Sequence, residues 1–590
     1  MSELRLVPPA VVVWLTVMAT ILTGAWQAGL GVLAVAAVVL KFAGLGGPRR
    51  QVGQVVVSLA VGCGALVLAW ARVLSARSHA LTGAVGRAAI ELEGRVVGEP
   101  KTTSTGATLI PLEVAGYPQT VPVFVEQREP LRIDVGSALR CRARVVESDF
   151  PGIGSVTANV MERGGGEISV DPPTGFAGHV AHVHRAFAEA ATLHLGPSSE
   201  GLVPGMVLGD TALQSPAERQ LYVETGLSHL SAVSGSNVAI VTSLVVVVAR
   251  LAGMGPRYQV ALAGAALLGF CALVGAEPSV LRAGVMGMVA LVSVVAATRA
   301  EPTHSLALAV IALLYWDSNL SVNYGFALSV AATCGIVWLS PILAGPLIGA
   351  GLPRVVAQAI GVAVAADVVT LPIVALMAGK VATVSALANV LAAPAVAPVT
   401  VLGLAAAALA LVPAVGVDWL AALPLRLAEP CSWWIHHVAL ACYGLPRSTL
   451  PVPGGVLGAG WVAVAGAWMI YSVSALGLRR TCALAGVLLC GFLCWGVASG
   501  PGPEVVPVRE LVAVDVDTLP RGYEPPQGTQ VVIVWGKGSG TGRGSGFGRG
   551  ARAREYPTVT QGGVPVLYPN RDGEVKLYSD GTQHASDGRF

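Results

Sequence analysis

Apolar stretches of membrane-spanning length recur along this chain, and they restrict its possible folds more than any other feature. A spanning helix needs about 20 mostly apolar residues. The stretches that meet or approach this length are 10–26, 29–45, 55–74, 230–249, 260–275, 280–297, 324–341, 355–377, 456–474 and 482–498, with softer segments at 304–316, 383–412 and 419–443. The sequence therefore predicts an α-helical polytopic membrane protein with roughly 11 to 13 spans.

The composition agrees with a membrane protein and excludes other classes. Only 12% of the 590 residues are charged, about half the fraction found in ordinary soluble domains. The 72 glycines follow no triplet period, which excludes collagen, and nine cysteines are too sparse for a disulfide scaffold. The net charge of +3 gives no overall basicity that would indicate a nucleic-acid partner.

The distribution of basic residues predicts an orientation, because Lys and Arg in short loops favour the cytoplasmic side. The relevant residues are Arg49, Arg50, Arg250, Arg257, Arg299, Arg354, Arg426, Arg479 and Arg480. If all of them lie inside, the amino terminus is cytoplasmic, and residues 75–228 and the tail after 499 face outward.

A polar block at 88–163 has the alternating apolar pattern and the Gly and Pro punctuation of short strands. About five strands in this length fit a small all-β barrel such as an OB-fold. Arg140, Arg142 and Arg144 alternate along one strand, so they share a face that would track a phosphate backbone. The alternative is an ordinary solvated strand face.

The segment after this block has the helical spacing of an amphipathic helix at the membrane surface. It carries His179, His182 and His184. A metal site needs ligands that converge from more than one element, so solvated or interfacial histidines are the favoured interpretation. The sequence predicts no metal site and no cofactor.

The tail contains a Gly- and Arg-rich run at 536–554 that is typical either of a flexible linker or of a loose polyanion-binding segment. It is not a phosphate-binding loop, since Lys537 is followed by Gly538 and the required spacing is absent.

Ionisable and amide side chains at membrane depth are costly, so they mark transport paths or structural pairs. The candidates are Asp210, His229, Ser234, Gly235, Asn237, Glu277, Arg282, Asp317, Asn323, Asp367 and Asn389. Each has a structural alternative. Glu277 and Arg282 fit a loop ion pair, Asp317 fits a helix cap, and Asn389 fits a bond between helices. Asp367 fits a pair with one Lys or Arg, in a helix that Pro372 would interrupt.

The run from His229 to Asn237 allows two interpretations. A Ser–His dyad would need His229 beside Ser234, but the G-x-S-x-G elbow is missing and the two are five residues apart. Ser231, Ser234 and Asn237 at three-residue steps fit one wet face of a helix that opens at His229 and bends or breaks at Gly235.

Residues 201–240 read GLVPGMVLGDTALQSPAERQLYVETGLSHLSAVSGSNVAI, which resembles the signature of the ComEC family of DNA-internalisation channels. The resemblance continues at Glu-Pro-Ser-Val-Leu-Arg-Ala (277–283), at Asp317 with Asn-Tyr-Gly-Phe-Ala-Leu-Ser (323–329), and at Val-Ser-Ala-Leu-Ala-Asn (384–389) with Pro394 and Pro398. It covers roughly residues 10–500. Asp367 stands where the family leads us to expect a neutral residue.

The resemblance implies a non-enzymatic membrane channel that admits single-stranded DNA during natural transformation. It implies an external DNA receptor, a cytoplasmic helicase or translocase, and a separate nuclease. Many members end in a metallo-β-lactamase-like domain, but this tail has no His-x-His-x-Asp-His run and His584 is its only histidine. We therefore expect only a degenerate remnant, with 512–516 resembling the opening strand. A small-solute transporter and a membrane hydrolase remain the alternatives.

The predicted organisation follows from these blocks. It comprises amino-terminal transmembrane helices (1–75), an extracytoplasmic OB-like β domain (76–175), an interfacial segment that begins the competence domain (176–228), a transmembrane channel domain (229–499) and an extracytoplasmic tail (500–590).

Overall fold

The computed structural model describes most of the first 476 residues and a few tail strands. The described ranges are 5–42, 48–86, 89–103, 107–125, 133–148, 150–160, 168–296, 301–411 and 418–476, with residues 511–514, 525, 531–534, 566–567, 575–577 and 583–585. The chain divides into two units, Met1–Cys482 and Ala483–Phe590. The apolar stretch 482–498, Arg299, Arg479, Arg480 and the Gly- and Arg-rich run lie outside the described residues.

The first unit begins with three apolar helices, α1 (Val7–Thr23), α2 (Trp26–Phe42) and α3 (Pro48–Ser78), followed by the short α4 (Ala80–Gly83). Prolines in the first turn of α1 suit a helix start, because the first turn leaves its N–H groups unpaired anyway. Val13 and Val17 of α1 and Ala69 of α3 are fully buried where the helices pack.

A closed β barrel follows, and it confirms the predicted OB-like domain. Its strands are β1 (Ile90–Val96), β2 (Lys101–Thr102), β3 (Thr108–Glu113), β4 (Val121–Val125), β5 (Ala138–Glu147), β6 (Val156–Val160) and β7 (Ser169–Asp171). The order β1-β3-β4-β6-β5 closes through β5 onto β1, and only the β4–β6 pairing within this ring is parallel. Leu92, Ile110, Val123, Leu139 and Ala158 point inward, as alternation requires.

Three helices connect the barrel to the main bundle: α5 (Gly175–His194), α6 (Leu202–Leu208) and α7 (Pro216–Glu224). Every residue of α6 is buried. Ser215 and Glu218 form a capping box that fixes the start of α7.

The main bundle contains the remaining helices. They are α8 (Gly235–Leu251), α9 (Pro256–Val274), α10 (Pro278–Val295), α11 (Pro302–Trp316), α12 (Tyr324–Trp338), α13 (Ser340–Gly349), α14 (Arg354–Ala378), α15 (Ser385–Leu409), α16 (Asp418–Tyr443) and α17 (Val456–Leu476). Strands β8 (Lys380–Ala382) and β9 (Thr449–Pro451) pair antiparallel at one edge. Short 3₁₀ helices span Ser228–Ser231 and Ser318–Val322.

The described helices make this a multi-pass membrane protein. Six of them are long and apolar enough to cross a bilayer, and α12 with α13, bent by 41°, would form a seventh crossing. Four shorter apolar helices, α1, α2, α8 and α11, have 10–17 residues. Within the described residues, the predicted minimum of 11 spans is reached only if all of these helices cross.

Two local predictions about the bundle are wrong. Helix α14 runs unbroken through Pro372, because the flanking turns supply enough bonds and packing to tolerate the missing N–H. The span predicted to open near His229 instead begins at Gly235, after the 3₁₀ turn at Ser228–Ser231 and an extended stretch that includes Ala232 and Ser234.

The second unit is described only as two small sheets. Strands β10 (Leu511–Val514), β11 (Val531–Val534) and β12 (Val566–Leu567) are parallel neighbours, and β13 (Val575–Leu577) pairs antiparallel with β14 (Gln583–Ala585).

Candidate functional site

Five helices of the main bundle contact one another in a closed ring. Helix α8 contacts α10, α10 contacts α12, α12 contacts α14, α14 contacts α15, and α15 contacts α8 again. Each contributes a polar residue: Ser236 and Asn237 from α8, Arg282 from α10, Ser329 from α12, Asp367 from α14 and Asn389 from α15. We call this set of helices the five-helix ring.

Arg282 is the cation among these six polar residues, whereas Arg250 and Arg354 lie exposed at the carboxyl end of α8 and the start of α14. Its Nε donates to the Ser329 hydroxyl at 2.9 Å, and its Nη1 lies 3.5 Å from the Met286 sulfur. Within the described chain no carboxylate comes within ion-pair distance of it. Glu277 is exposed at the N-cap position of α10, where its side chain makes no capping bond, and the predicted alternative of a Glu277–Arg282 ion pair is not formed in the described residues.

Gly235 allows the guanidinium to approach the start of α8. A Cβ at this position would lie 2.9 Å from Arg282 Nη2 and 3.2 Å from the Ala283 Cβ. The two helices that meet here, α8 and α10, both begin at this point, and the Ser279 hydroxyl donates to the Val233 carbonyl at 2.7 Å. Helix amino termini carry partial positive charge, so they add to the field of Arg282.

Asn237 lies inside the protein, where it joins three helices. Its side-chain amide donates to the Met206 carbonyl of α6 at 2.6 Å, and its Oδ1 accepts from the hydroxyls of Ser234 at 3.1 Å and Thr400 of α15 at 3.4 Å. The residue is 3% exposed. The predicted wet helix face is therefore wrong at this position, because Asn237 is enclosed and Ser231 and Ser234 precede the helix.

Replacing Asn237 with leucine is expected to lower the stability of the folded chain. The change removes the partner of the buried Met206 carbonyl, which should cost about 2 kcal/mol. The melting temperature of the purified chain in detergent measures the effect. Thr400→Val is the control, because it removes the weakest of the three Asn237 bonds together with a bond to the Val396 carbonyl within α15. An unchanged melting temperature in Asn237→Leu would contradict this structural role.

Asp367 and Asn389 meet through a third residue that the sequence did not single out. The Ser385 hydroxyl donates to Asp367 Oδ1 at 3.1 Å, and the Asn389 amide lies 3.3 Å from the same hydroxyl. Lys380 pairs with Glu224 at 3.3 Å instead of with Asp367. Among the described residues, therefore, no Lys or Arg forms the predicted ion pair with Asp367.

His229 lies in the 3₁₀ turn at Ser228–Ser231. Part of its side chain reaches the surface, but the surrounding protein removes enough hydration from the imidazole to lower its pKa. The Ser234 hydroxyl bonds Ser236 and Asn237. Within the described residues His229 is not among its partners, so the Ser–His dyad of a hydrolase is not formed.

Asp317 and Asn323 are helix caps, as the alternative interpretation of Asp317 predicted. Asp317 accepts from the Asn319 backbone N–H at 2.9 Å, and Asn323 accepts from Phe326 N at 3.0 Å. Asn319 between them binds the barrel, accepting from Ile153 N at 2.9 Å and donating to the Pro118 carbonyl at 3.2 Å. This short segment connects the barrel to the bundle.

Asp210 lies in the turn after α6, which is not one of the five helices of the ring. It meets Glu99 of the β1–β2 connection and His184 of α5. Burial raises the pKa of Glu99. Burial alone would lower the pKa of His184, but the hydrogen bonds and charge around it raise the value overall. Of the three histidines singled out in the sequence, His184 enters this group, while His179 and His182 are exposed.

Arg140, Arg142 and Arg144 all project from the outer face of β5, as predicted. The neighbouring strand places Glu93 opposite Arg140 and Glu91 opposite Arg142, and Glu93 binds Arg140 at 2.9 Å. Arg144 faces Asn159 on its other side. The charges of Arg140 and Arg142 are thus largely compensated by the glutamates opposite them, whereas Arg144 has no acidic residue opposite it in the described strands.

The helices of the five-helix ring lie within a stretch that matches a known family. The sequence model of the competence protein family covers residues 206–479. Residues 206–479 belong to the competence protein family. This competence domain contains every ring residue named above, together with His229 and the caps Asp317 and Asn323.

A curated relative supports the same assignment over a shorter stretch. ComE operon protein 3 of Bacillus subtilis (strain 168) is 31% identical over 149 residues, which are 25% of this chain and 19% of the relative. The alignment thus spans about a fifth of that protein's length. No solved structure matches the chain.

A cavity of about 480 Å³ opens elsewhere in the competence domain, between α14, α17 and the β8–β9 pair. Its walls are apolar, with Leu371, Trp461 and Met469 among them. Such walls offer no partners for phosphate, so this cavity does not extend the polar group of the five-helix ring.

Proposed function

We propose that this protein conducts single-stranded DNA across the cytoplasmic membrane during DNA uptake, along a path inside the five-helix ring. The observation that carries the proposal is Arg282, a cation held at membrane depth by Ser329 and without a carboxylate partner in the described chain. An unpaired guanidinium in a low-dielectric setting attracts an anion strongly. A phosphate backbone supplies one anion after another.

Conduction of DNA through the five-helix ring would require no covalent chemistry. A passing phosphate would meet Arg282 together with the amino termini of α8 and α10, and Gly235 has no Cβ that would displace the guanidinium there. Conduction requires binding weak enough to release each phosphate, which a single arginine provides better than a cluster. The driving force would come from a cytoplasmic helicase or translocase.

The barrel would gather the strand before it enters. In this proposal the amino terminus is cytoplasmic and the barrel faces outward, where a DNA receptor delivers the strand and a separate nuclease removes its complement. Arg144 is the expected first contact on β5, because Arg140 and Arg142 face glutamates.

Replacing Glu91 and Glu93 with glutamine is expected to strengthen single-stranded DNA binding by the full chain. Each freed arginine should make the dependence of log K on log salt steeper by about 0.7. Fluorescence anisotropy with labelled oligonucleotides across a salt series measures both quantities. Glu113→Gln, on a neighbouring strand, is the control, and an unchanged slope in the double variant would show that β5 does not contact DNA.

Uptake of labelled DNA in a deletion strain tests the whole proposal. The strain should lose internalised label and transformants, and the full-length chain should restore both. Unchanged transformation without the protein would overturn the channel.

Asp367 favours a second candidate, a secondary transporter for a small solute. It is a carboxylate within a candidate membrane span, bonded only to the Ser385 hydroxyl in the described chain. A transporter of this type would lose proton- or ion-driven solute uptake in Asp367→Asn, whereas the DNA channel would keep most of its transport in that variant.

A further inference from the structure

The group formed by Glu99, His184 and Asp210 lies outside the five-helix ring and has no part in the proposed channel. Its members come from three separate elements: the β1–β2 connection of the barrel, helix α5 and the turn after α6. One ligand atom from each lies within 4.8 Å of the other two. Sequence separations of 85 and 26 residues bring them together only in the folded chain.

The hydrogen bonds of His184 determine which of its ring nitrogens is available to a ligand. Nε2 lies 3.0 Å from the Leu273 carbonyl. A carbonyl oxygen can only accept, so Nε2 carries the proton, and in a neutral imidazole Nδ1 keeps its lone pair. Nδ1 lies 3.3 Å from Glu99 Oε1, which is also an acceptor. A protonated imidazole donates Nδ1–H to Glu99, whereas with a neutral imidazole the two facing acceptors leave a place for a cation between them.

Backbone N–H groups also contact one oxygen of each carboxylate. The Thr211 N–H lies 3.3 Å from Glu99 Oε2, and the Ala212 N–H donates to Asp210 Oδ1 at 2.9 Å. Each carboxylate therefore keeps an oxygen for a further partner. The side chains of His184 and Glu99 are only 16% and 21% exposed, so the group is partly shielded from water.

We propose that Glu99, His184 and Asp210 bind one divalent metal ion that fastens the barrel to the start of the competence domain. One imidazole nitrogen and two carboxylate oxygens suit a cation of borderline hardness such as Mn²⁺ or Zn²⁺. A histidine whose other nitrogen donates to a backbone carbonyl has the usual arrangement of a metal ligand. Ligand bonds of about 2.0–2.2 Å would draw the three atoms closer than they lie now.

The ion would act as a structural clamp. With both carboxylates ionised and the imidazole neutral, the three side chains carry a charge of about −2, which a divalent ion cancels. Because Glu99 belongs to the barrel and Asp210 to the competence domain, the bound ion would resist separation of the two.

Metal content of the full chain tests this inference. The protein, purified in detergent and stripped with a chelator, is loaded with Mn²⁺, which thiolates of the chain's cysteines bind poorly. Electron paramagnetic resonance and elemental analysis after desalting should find about one tightly held ion per chain. The melting temperature should rise on loading. No tight Mn²⁺ or Zn²⁺ in the native chain would overturn the site.

The three proposed ligands lie on separate elements, so a folding defect in one variant would not explain a loss of metal binding in all three. Glu99→Gln, His184→Gln and Asp210→Asn should each weaken Mn²⁺ binding by at least about 100-fold and abolish the rise in melting temperature. His182→Gln is the matched control, an exposed histidine on the same helix that should bind as the native chain does. Full metal content in the three ligand variants would overturn the assignment. DNA uptake is not part of the readout, so this result stands apart from that of the channel.

Discussion

Replacing Arg282 with alanine is expected to lower the uptake of labelled single-stranded DNA by about 100-fold. A hydrogen bond to a charged group contributes about 1.5–3 kcal/mol, and more where water is excluded. Arg282 is the charged donor among the polar residues named for the five-helix ring, and the other arginines described on these helices, Arg250 and Arg354, lie exposed at helix ends. Without it, a phosphate at this depth would meet only hydroxyl groups and helix termini.

Two control variants distinguish the effect of a positive charge at position 282 from the effect of positive charge elsewhere on the protein. Arg282→Lys keeps the charge but cannot hold Ser329 and a phosphate in the same planar geometry, so it should retain intermediate uptake. Arg257→Ala removes an exposed arginine at the start of α9 and should leave uptake unchanged. Equal losses in Arg257→Ala and Arg282→Ala, or normal uptake in Arg282→Ala at normal protein level, would contradict the path.

Replacing Gly226 with alanine is expected to destabilise the chain by about 2–5 kcal/mol, the sum of backbone strain and overpacking. Gly226 has φ +73°, a conformation that costs a residue with a Cβ. Its Cβ would also clash with Ser385, whose Cβ would be only 2.6 Å away. The clash would disturb the start of α15 and the Asp367–Ser385–Asn389 contacts. Melting temperature and accumulation of the protein measure the effect.

Gly253 provides a matched control for this prediction. It has nearly the same φ, +70°, but no atom lies within 4 Å of an added Cβ. Gly253→Ala should therefore cost only the backbone strain, about 1–2 kcal/mol. Adding Ser385→Gly to Gly226→Ala should recover the packing part of the loss. Equal destabilisation by the two alanines would show that Ser385 is not pressed against Gly226.

Patterns with a short period could be read from the sequence. Apolar runs predicted the membrane helices, and strand alternation with Gly and Pro predicted a barrel that β1 to β6 form. The outward face of Arg140, Arg142 and Arg144 followed from the same alternation. Alternation within one strand could not show that Glu91 and Glu93 stand opposite these arginines, because the register between strands is a long-range property.

The sequence predicted several residues of the candidate site, but it did not predict which of them contact one another. Arg282, Asp367 and Asn389 were singled out because polar atoms in a bilayer are costly. Their partners Ser329 and Ser385 gave no such signal, since a serine hydroxyl is common in membrane helices. Arg72 was also missed. It donates to the Ser318 hydroxyl at 2.7 Å and to the Tyr315 carbonyl at 2.9 Å, and so ties α3 to the segment that holds the barrel.

The sequence by itself determined the membrane location of the chain, the β insert and the family of residues 206–479, because these depend on composition and on local order along the chain. Only the tertiary structure decided which polar residues meet. It enclosed Asn237 among three helices, made caps of Asp317 and Asn323, left Arg282 without a carboxylate in the described chain, and brought Glu99, His184 and Asp210 together. Local periodicity fixes which way a side chain faces along its own element, whereas its neighbours across the protein depend on how separate elements pack.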